Sequence, residues 1–270
     1  MNRHEFTCAI PIGMMAAVTG LEHSALAQTA QLQAGAPAPN DAPRLQIGAL
    51  IYPRMILLDL AGPQTVFNLM RGNVHLVAKE QAPVPTDVGI SIAPTTTIEQ
   101  CPADLDVLFV PGGLDGTVAA MNDPTIVNFL ADRGGRAKFV TSVCTGSLLL
   151  GAAGLLRGYS ATSHWYVRDL LGLMGATPRA DRVVVDRNRI TGAGVTAGLD
   201  FAIELARQIR GEEAPQLFEL VLEYDPKPPF AAGTPELAGA TLTERVRQIR
   251  GPAIAAAREA AVRAGERLKI

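Results

Sequence analysis

Cys144 stands in Val140-Thr141-Ser142-Val143-Cys144-Thr145-Gly146-Ser147-Leu148, where an apolar β-rich run ends on one reactive side chain and small residues open a helix. A side chain at such a turn projects from the edge of a sheet, and the free N–H groups at a helix start favour thiolate over thiol. Gly146 lets the backbone come close, and the N–H of Thr145 can face negative charge that develops on a substrate. The chemistry this suits is nucleophilic attack on an electrophilic carbon. The competing reading is an inert buried thiol. Cys101, beside Pro102 and Asp104, lacks that setting and reads as structural, and Cys8, Cys101 and Cys144 are too scattered for a disulfide framework or a zinc knuckle.

Such a nucleophile needs a proton donor or acceptor. His4 and His23 lie near the start, His75 falls in a strand pattern, and His164 sits in Thr162-Ser163-His164-Trp165. His164 is placed either beside the pocket or as a packing and hydrogen-bonding residue next to the tryptophan, so a Cys–His dyad has little support. Leu57-Leu58-Asp59-Leu60-Ala61-Gly62-Pro63 sets a single carboxylate in an apolar run just after the first strand. Burial there hinders ionisation and makes Asp59 a proton donor near neutral pH. The alternative is an N-cap for the helix that follows. Gly192-Ala193-Gly194-Val195-Thr196-Ala197-Gly198 follows a strand and precedes a helix, but its third glycine is one residue late and no later strand carries an acid for a ribose.

The elements that must position these residues alternate from Leu45 onward. Strands are expected over 45–52, 74–78, 88–92, 106–110 and 139–143, and helices over 58–70 and 145–156. Two strand-like runs, 183–185 and 189–191, flank the turn Asp186-Arg187-Asn188, and 197–210 returns to helix. This order predicts a flavodoxin-like, doubly wound α/β fold: a mostly parallel sheet with helices on both faces and ligands at the C-terminal ends of its strands. After Asp225 come Pro226, Pro228 and Pro229. Then Leu242, Val246 and Ile249 recur at helical spacing, Gly251-Pro252 interrupts, and 254–262 resumes. This tail is either a surface helix on its own domain or an arm that contacts a partner.

With 24 Lys and Arg against 26 Asp and Glu the net charge is −2, which gives no bulk attraction to phosphate polymers and makes nucleic acid an unsuitable partner. A composition of 48% hydrophobic and 19% charged residues supports a large core. The start reads as a signal peptide over 1–27, with Arg3, an apolar stretch over 8–18 and Ala25-Leu26-Ala27. Cleavage after Ala27 would leave a periplasmic or secreted chain; a cytoplasmic extension is the alternative. The apolar stretch is too short for a stable membrane anchor. Residues 28–43 read as a linker, 44–225 as the catalytic domain, and 226–270 as an extended segment and helical arm.

Leu58-Asp59-Leu60-Ala61-Gly62-Pro63, Phe109-Val110-Pro111-Gly112-Gly113, Val143-Cys144-Thr145-Gly146-Ser147, Ala161-Thr162-Ser163-His164-Trp165, Asp186-Arg187-Asn188-Arg189-Ile190-Thr191-Gly192 and Glu223-Tyr224-Asp225-Pro226 recur in order. Together they resemble the isonitrile hydratases of the ThiJ/PfpI superfamily. The resemblance implies a fold shared with class I glutamine amidotransferases, a homodimer, and hydration of a small-molecule isonitrile to an N-substituted formamide without metal or organic cofactor. By the same resemblance Cys144 is the nucleophile, Asp59 the acid, Thr145 a neighbour that positions substrate, and Gly113 the backbone donor opposite. Attack by Cys144 with a proton from Asp59 would give a thioimidate that water resolves. Two other outcomes stay open: a glyoxalase-like aldehyde-processing enzyme of the same superfamily, and a ligand-binding module like the domain of araC-type regulators. Such regulators continue into a helix-turn-helix region, for which the stretch after Asp225 is short.

Overall fold

The alternating runs build a doubly wound α/β sandwich in the computed structural model, which describes residues 44–270 as one unit. The expected signal peptide and linker lie outside the described residues. In chain order the first half contains β1 (Leu45–Leu50), α1 (Leu57–Leu69), β2 (Gly72–Ala78), β3 (Val84–Pro85), β4 (Ser91–Ile92), β5 (Thr96–Thr97) and β6 (Val107–Val110). Next are α2 (Leu114–Met121), α3 (Pro124–Arg136), β7 (Phe139–Val143), α4 (Gly146–Ala152), β8 (Ser160–Ala161), a 3₁₀ turn (Arg168–Met174) and β9 (Thr177–Pro178). The chain closes with β10 (Val183–Asp186), β11 (Arg189–Gly192), α5 (Ala197–Arg210), α6 (Glu213–Leu222) and α7 (Pro235–Leu268).

The main sheet has seven strands in the order β10-β11-β7-β6-β1-β2-β5, parallel except for β10 against β11. Its central strand β6 is buried along its whole length, which explains its unbroken apolar sequence. On one face, α1 and α5 pack together. There Phe109 of β6 stacks on Phe201 of α5 at 5.6 Å and meets Phe67 of α1 edge-on at 5.3 Å. Such aromatic pairs add about 0.5–1.5 kcal/mol each beyond their buried area. On the other face α2, α4 and α7 pack against one another, and α3 packs on α2 and α4. The order in which successive strands are added reverses at β1, whose parallel neighbours are β2 on one side and β6 on the other. The crevice at such a switch lies at the strand C-termini, where the chain leaves β1, β6 and β7.

Four expectations are corrected. The strand over 88–92 shrinks to β4, which pairs with β3 in a separate ribbon. The helix expected over 145–156 is the shorter α4, because Gly154 takes a left-handed φ of 76° just beyond its end. Helices α2, α3 and α6 join the expected set. Gly251-Pro252 does not interrupt the tail: α7 runs through Pro252 and is broken instead at Gly239, where φ is 78°. The carbonyl of Gln248 that loses its partner at Pro252 lies on an exposed residue, where water can serve it. The second half of α7 is also held down, with Ala257, Ala260, Ala261 and Ala264 buried, and α7 packs on the 3₁₀ turn, α2 and α4. That half lies as a surface helix on its own domain.

Candidate active site

Cys144 follows β7 in a left-handed conformation with φ of 57°, unusual for a residue with a side chain. A non-glycine residue held there costs of order 1–3 kcal/mol and persists only when its surroundings fix it. They do so here. Its N–H donates to the Gly192 carbonyl at 3.1 Å, and its carbonyl accepts from Ser163 Oγ at 3.0 Å and from the His164 N–H at 3.3 Å. Strand β11 and the loop before the 3₁₀ turn thus clamp the elbow from both sides, and the thiol is completely buried.

Asp59 is the third residue of α1 and does not cap it. Its Oδ2 accepts the Gly112 N–H from the turn after β6 at 2.9 Å, and its Oδ1 has no hydrogen-bond partner. Complete burial therefore dominates, and the carboxyl is pushed up from 3.8 to about 7, with the Gly112 bond opposing. The Cys144 thiol, as a hydrogen-bond donor, favours the Asp59 carboxylate, and that carboxylate in turn raises the cost of a charge on Cys144. Burial first, and the Asp59 charge second, push the Cys144 thiol well above its ordinary value; the Thr145 N–H works against them, and the Thr145 hydroxyl, within hydrogen-bonding reach of the sulfur, does so wherever its proton is turned to Cys144. This corrects the thiolate expected at a helix start: α4 has only seven residues and its N-terminal field is outweighed. The pair titrates as a unit, with one proton between two sites over the neutral to alkaline range.

Gly112 joins the three strand ends. A Cβ there would lie 2.6 Å from the Thr145 N, 2.8 Å from Asp59 Oδ2 and 2.8 Å from Cys144 Cβ, so only glycine lets carboxyl and thiol share this corner. Gly113, at φ of 145°, turns the chain away against the backbone of Arg54 and Met55. Its N–H donates to Thr145 Oγ1 at 2.9 Å and so is committed within the protein, which corrects its expected place as the donor facing a substrate. Thr145 is buried beside Cys144, its hydroxyl sharing a 2.8 Å hydrogen bond with Thr117.

His164 stacks on Tyr166 with ring centroids 3.8 Å apart, and its Nδ1 has no partner. Burial, with the Arg250 charge adding to it, pulls its imidazole down to about 4, so it stays neutral at physiological pH. The structure joins His164 to Cys144 through backbone rather than ring. The ring instead lines a cavity of about 310 Å³ with Ile56, Tyr166, Val195, Leu242 and Arg250. Tyr166 and Arg250 carried no signal in the sequence. They reach the cavity from a loop and from α7, whose relation to the elbow exists only in the folded chain. Among the described residues no group of three or more His, Cys, Asp or Glu could hold a metal ion, and no helix is long and apolar enough to cross a membrane.

The model of the DJ-1/PfpI family matches residues 47–208, the stretch that contains Asp59, Gly112 and Cys144. The chain belongs to the DJ-1/PfpI family. It is 46% identical over 227 residues to the isonitrile hydratase of Pseudomonas putida, covering 84% of this chain and 99% of that protein. A crystal structure of a ThiJ/PfpI family protein from Pseudomonas syringae superposes with a TM-score of 0.80 at 46% identity, over 84% of this chain and 98% of that one. An HTH-type transcriptional regulator of Pseudomonas aeruginosa is 30% identical over 190 residues, which are 66% of this chain but only 50% of the regulator. The DJ-1/PfpI fold accounts for the mostly parallel sheet covered by helices.

Proposed function

We propose that this protein is a hydro-lyase that converts isonitriles to N-substituted formamides, with Cys144 as nucleophile and Asp59 as proton carrier. The observation that carries this reading is the match to an isonitrile hydratase along almost all of that protein's length. The buried carboxyl and thiol supply groups suited to the chemistry. The competent state holds one proton on the pair. The Cys144 sulfur bonds to the terminal isonitrile carbon as the thiol proton passes through Asp59 to the same carbon, leaving a thioimidate, R–N=CH–S–Cys144, and an Asp59 carboxylate. Water then adds to this carbon. Asp59 takes one of its protons and passes it to nitrogen, giving R–NH–CH(OH)–S–Cys144. Loss of the hydroxyl proton to Asp59 forms the carbonyl, the C–S bond breaks, and the formamide leaves with the pair in its starting state.

Gly113 offers no free N–H to this sequence, so the backbone donor at the sulfur is the Thr145 N–H. The cavity of Ile56, Tyr166, Val195 and Leu242 supports an apolar organic group on the isonitrile. The test is formamide production from cyclohexyl and phenyl isonitriles by the mature protein and by Cys144→Ser. Turnover by the first and none by the second supports the reading; equal turnover by both removes the covalent step, and no turnover by either removes the activity.

The assembly in this reading is a homodimer. Leu220 and Val221 of α6, Phe230, and Leu237 and Ile249 of α7 are exposed apolar residues that support it. Sedimentation equilibrium decides. Export completes the reading: protein recovered from the periplasm should begin at Gln28, and an intact Met1 in the cytoplasmic fraction would overturn it.

A further inference from the structure

A chain of buried hydroxyls runs from the active site into the protein, and its proton directions are fixed at both ends. At the outer end, Tyr52 O–H is 2.7 Å from the Pro111 carbonyl, which can only accept. Tyr52 has one hydroxyl proton, so in its 3.0 Å contact with Thr117 Oγ1 the tyrosine oxygen must accept. That uses the single proton of Thr117, which must then accept from Thr145 Oγ1 at 2.8 Å. At the inner end Thr145 Oγ1 accepts the Gly113 N–H at 2.9 Å. The resulting order is Gly113 N–H to Thr145, Thr145 to Thr117, Thr117 to Tyr52, and Tyr52 to Pro111. Tyr52, Thr117 and Thr145 are at most 1% exposed, so no water competes for these protons.

We propose that Tyr52 and Thr117 are positioning residues that set the direction of the Thr145 hydroxyl, holding its proton away from the Cys144 sulfur in the resting site. Neither touches the reacting atoms. Their effect passes through Thr145, the residue next to the nucleophile, and through the Pro111-Gly112-Gly113 turn that carries the partner of Asp59. Burial also pushes the Tyr52 phenol far up, so it remains a donor throughout the working pH range. With the chain in this order, Thr145 cannot donate to a thiolate, and the proton of the Cys144–Asp59 pair is held more firmly. Reversing the chain would require Tyr52 to abandon Pro111.

Removing the phenol oxygen lifts that restraint. In Tyr52→Phe the Thr117 proton loses its acceptor and can turn to Thr145, and the Thr145 proton can then turn to Cys144. A donor to the charged form lowers a pKa, so the Cys144 thiol should titrate about one pH unit lower, which is about tenfold more thiolate at a given pH on the rising limb. Ultraviolet thiolate titration of the full chain in a Cys8→Ser, Cys101→Ser background reads this without any substrate. Thr117→Val, which removes the same acceptor at the middle of the chain, gives the same downward shift and serves if Tyr52→Phe does not fold. Thr117→Ser keeps the relay and titrates like the parent. Adding Thr145→Val to Tyr52→Phe or to Thr117→Val abolishes the shift, an outcome that general loosening of the fold would not produce.

A titration that stays in place or rises in both Tyr52→Phe and Thr117→Val overturns the proposal, as does a downward shift that survives Thr145→Val. The consequence for turnover rests on the isonitrile hydratase reading: the pH profile for formamide formation should move in the same direction as the thiol. If no isonitrile is turned over but the thiol shifts as described, the reading of the substrate fails while the relay stands.

Discussion

Asp59→Asn separates stability from turnover and gives each a sign. In the folded protein the carboxyl titrates at about 7 rather than 3.8 because it is buried. The native state therefore binds the proton more tightly than the unfolded chain, and stability is lost as pH rises from about 4 to about 7. At pH 8.5 the full difference of about 3.2 pH units corresponds to a cost of about 4 kcal/mol, and at pH 5.5 about 2 kcal/mol is already present. Asparagine keeps an acceptor for the Gly112 N–H and never ionises. The variant should therefore be more stable than the parent, by about 2 kcal/mol more at pH 8.5 than at pH 5.5. Urea unfolding at the two pH values measures this, with the dependence on denaturant compared to show that the unfolded states match. Formamide production should fall at least about a hundredfold, the low end for a lost general acid. A helix cap would give another pattern: since asparagine also caps, neither stability nor turnover would change much. A stability difference independent of pH, or a variant that retains parental turnover, refutes the placement of the proton on Asp59.

In the parent, kcat/KM should rise with pH through about 7, as Asp59 loses its proton and the pair reaches its one-proton state, and fall again only where the thiol proton also leaves; a profile that falls through neutrality contradicts this. Gly112→Ala forces a methyl group against the Thr145 N, Asp59 and Cys144, so activity should be lost together with about 1–3 kcal/mol of stability in chemical denaturation. Cys144→Ala keeps the left-handed strain and Cys144→Gly releases it, so both should be inactive but the glycine variant more stable by about 1 kcal/mol; equal melting temperatures would show that the elbow carries no strain. Pro252→Ala restores a backbone donor inside α7 and should raise the unfolding midpoint, the gain being at most about 3 kcal/mol.

The sequence made the corner legible wherever a residue's own neighbours dictate its geometry. An apolar strand followed by Cys-Thr-Gly-Ser already implies an elbow, and an apolar run around a lone Asp59 already implies a carboxyl that resists ionisation. Those local statements survive in β7, α4 and the raised Asp59. The state of Cys144 did not follow in the same way, because it depends on competition between a helix field one turn away and a carboxylate 85 positions earlier in the chain. Proximity decides that competition, and proximity is set by the sheet order that brings the ends of β1, β6 and β7 together. The commitment of the Gly113 N–H was hidden for the same reason, since its acceptor Thr145 is 32 residues away. Tyr52 and Thr117 carry still less local signal: one is an aromatic residue after a strand and the other lies in a helix whose pattern is too weak to single out. Their meaning arises only when four oxygens and one N–H from separate elements line up in a space without water. There the rule that each hydroxyl has one proton to give turns ordinary packing residues into a device with a direction.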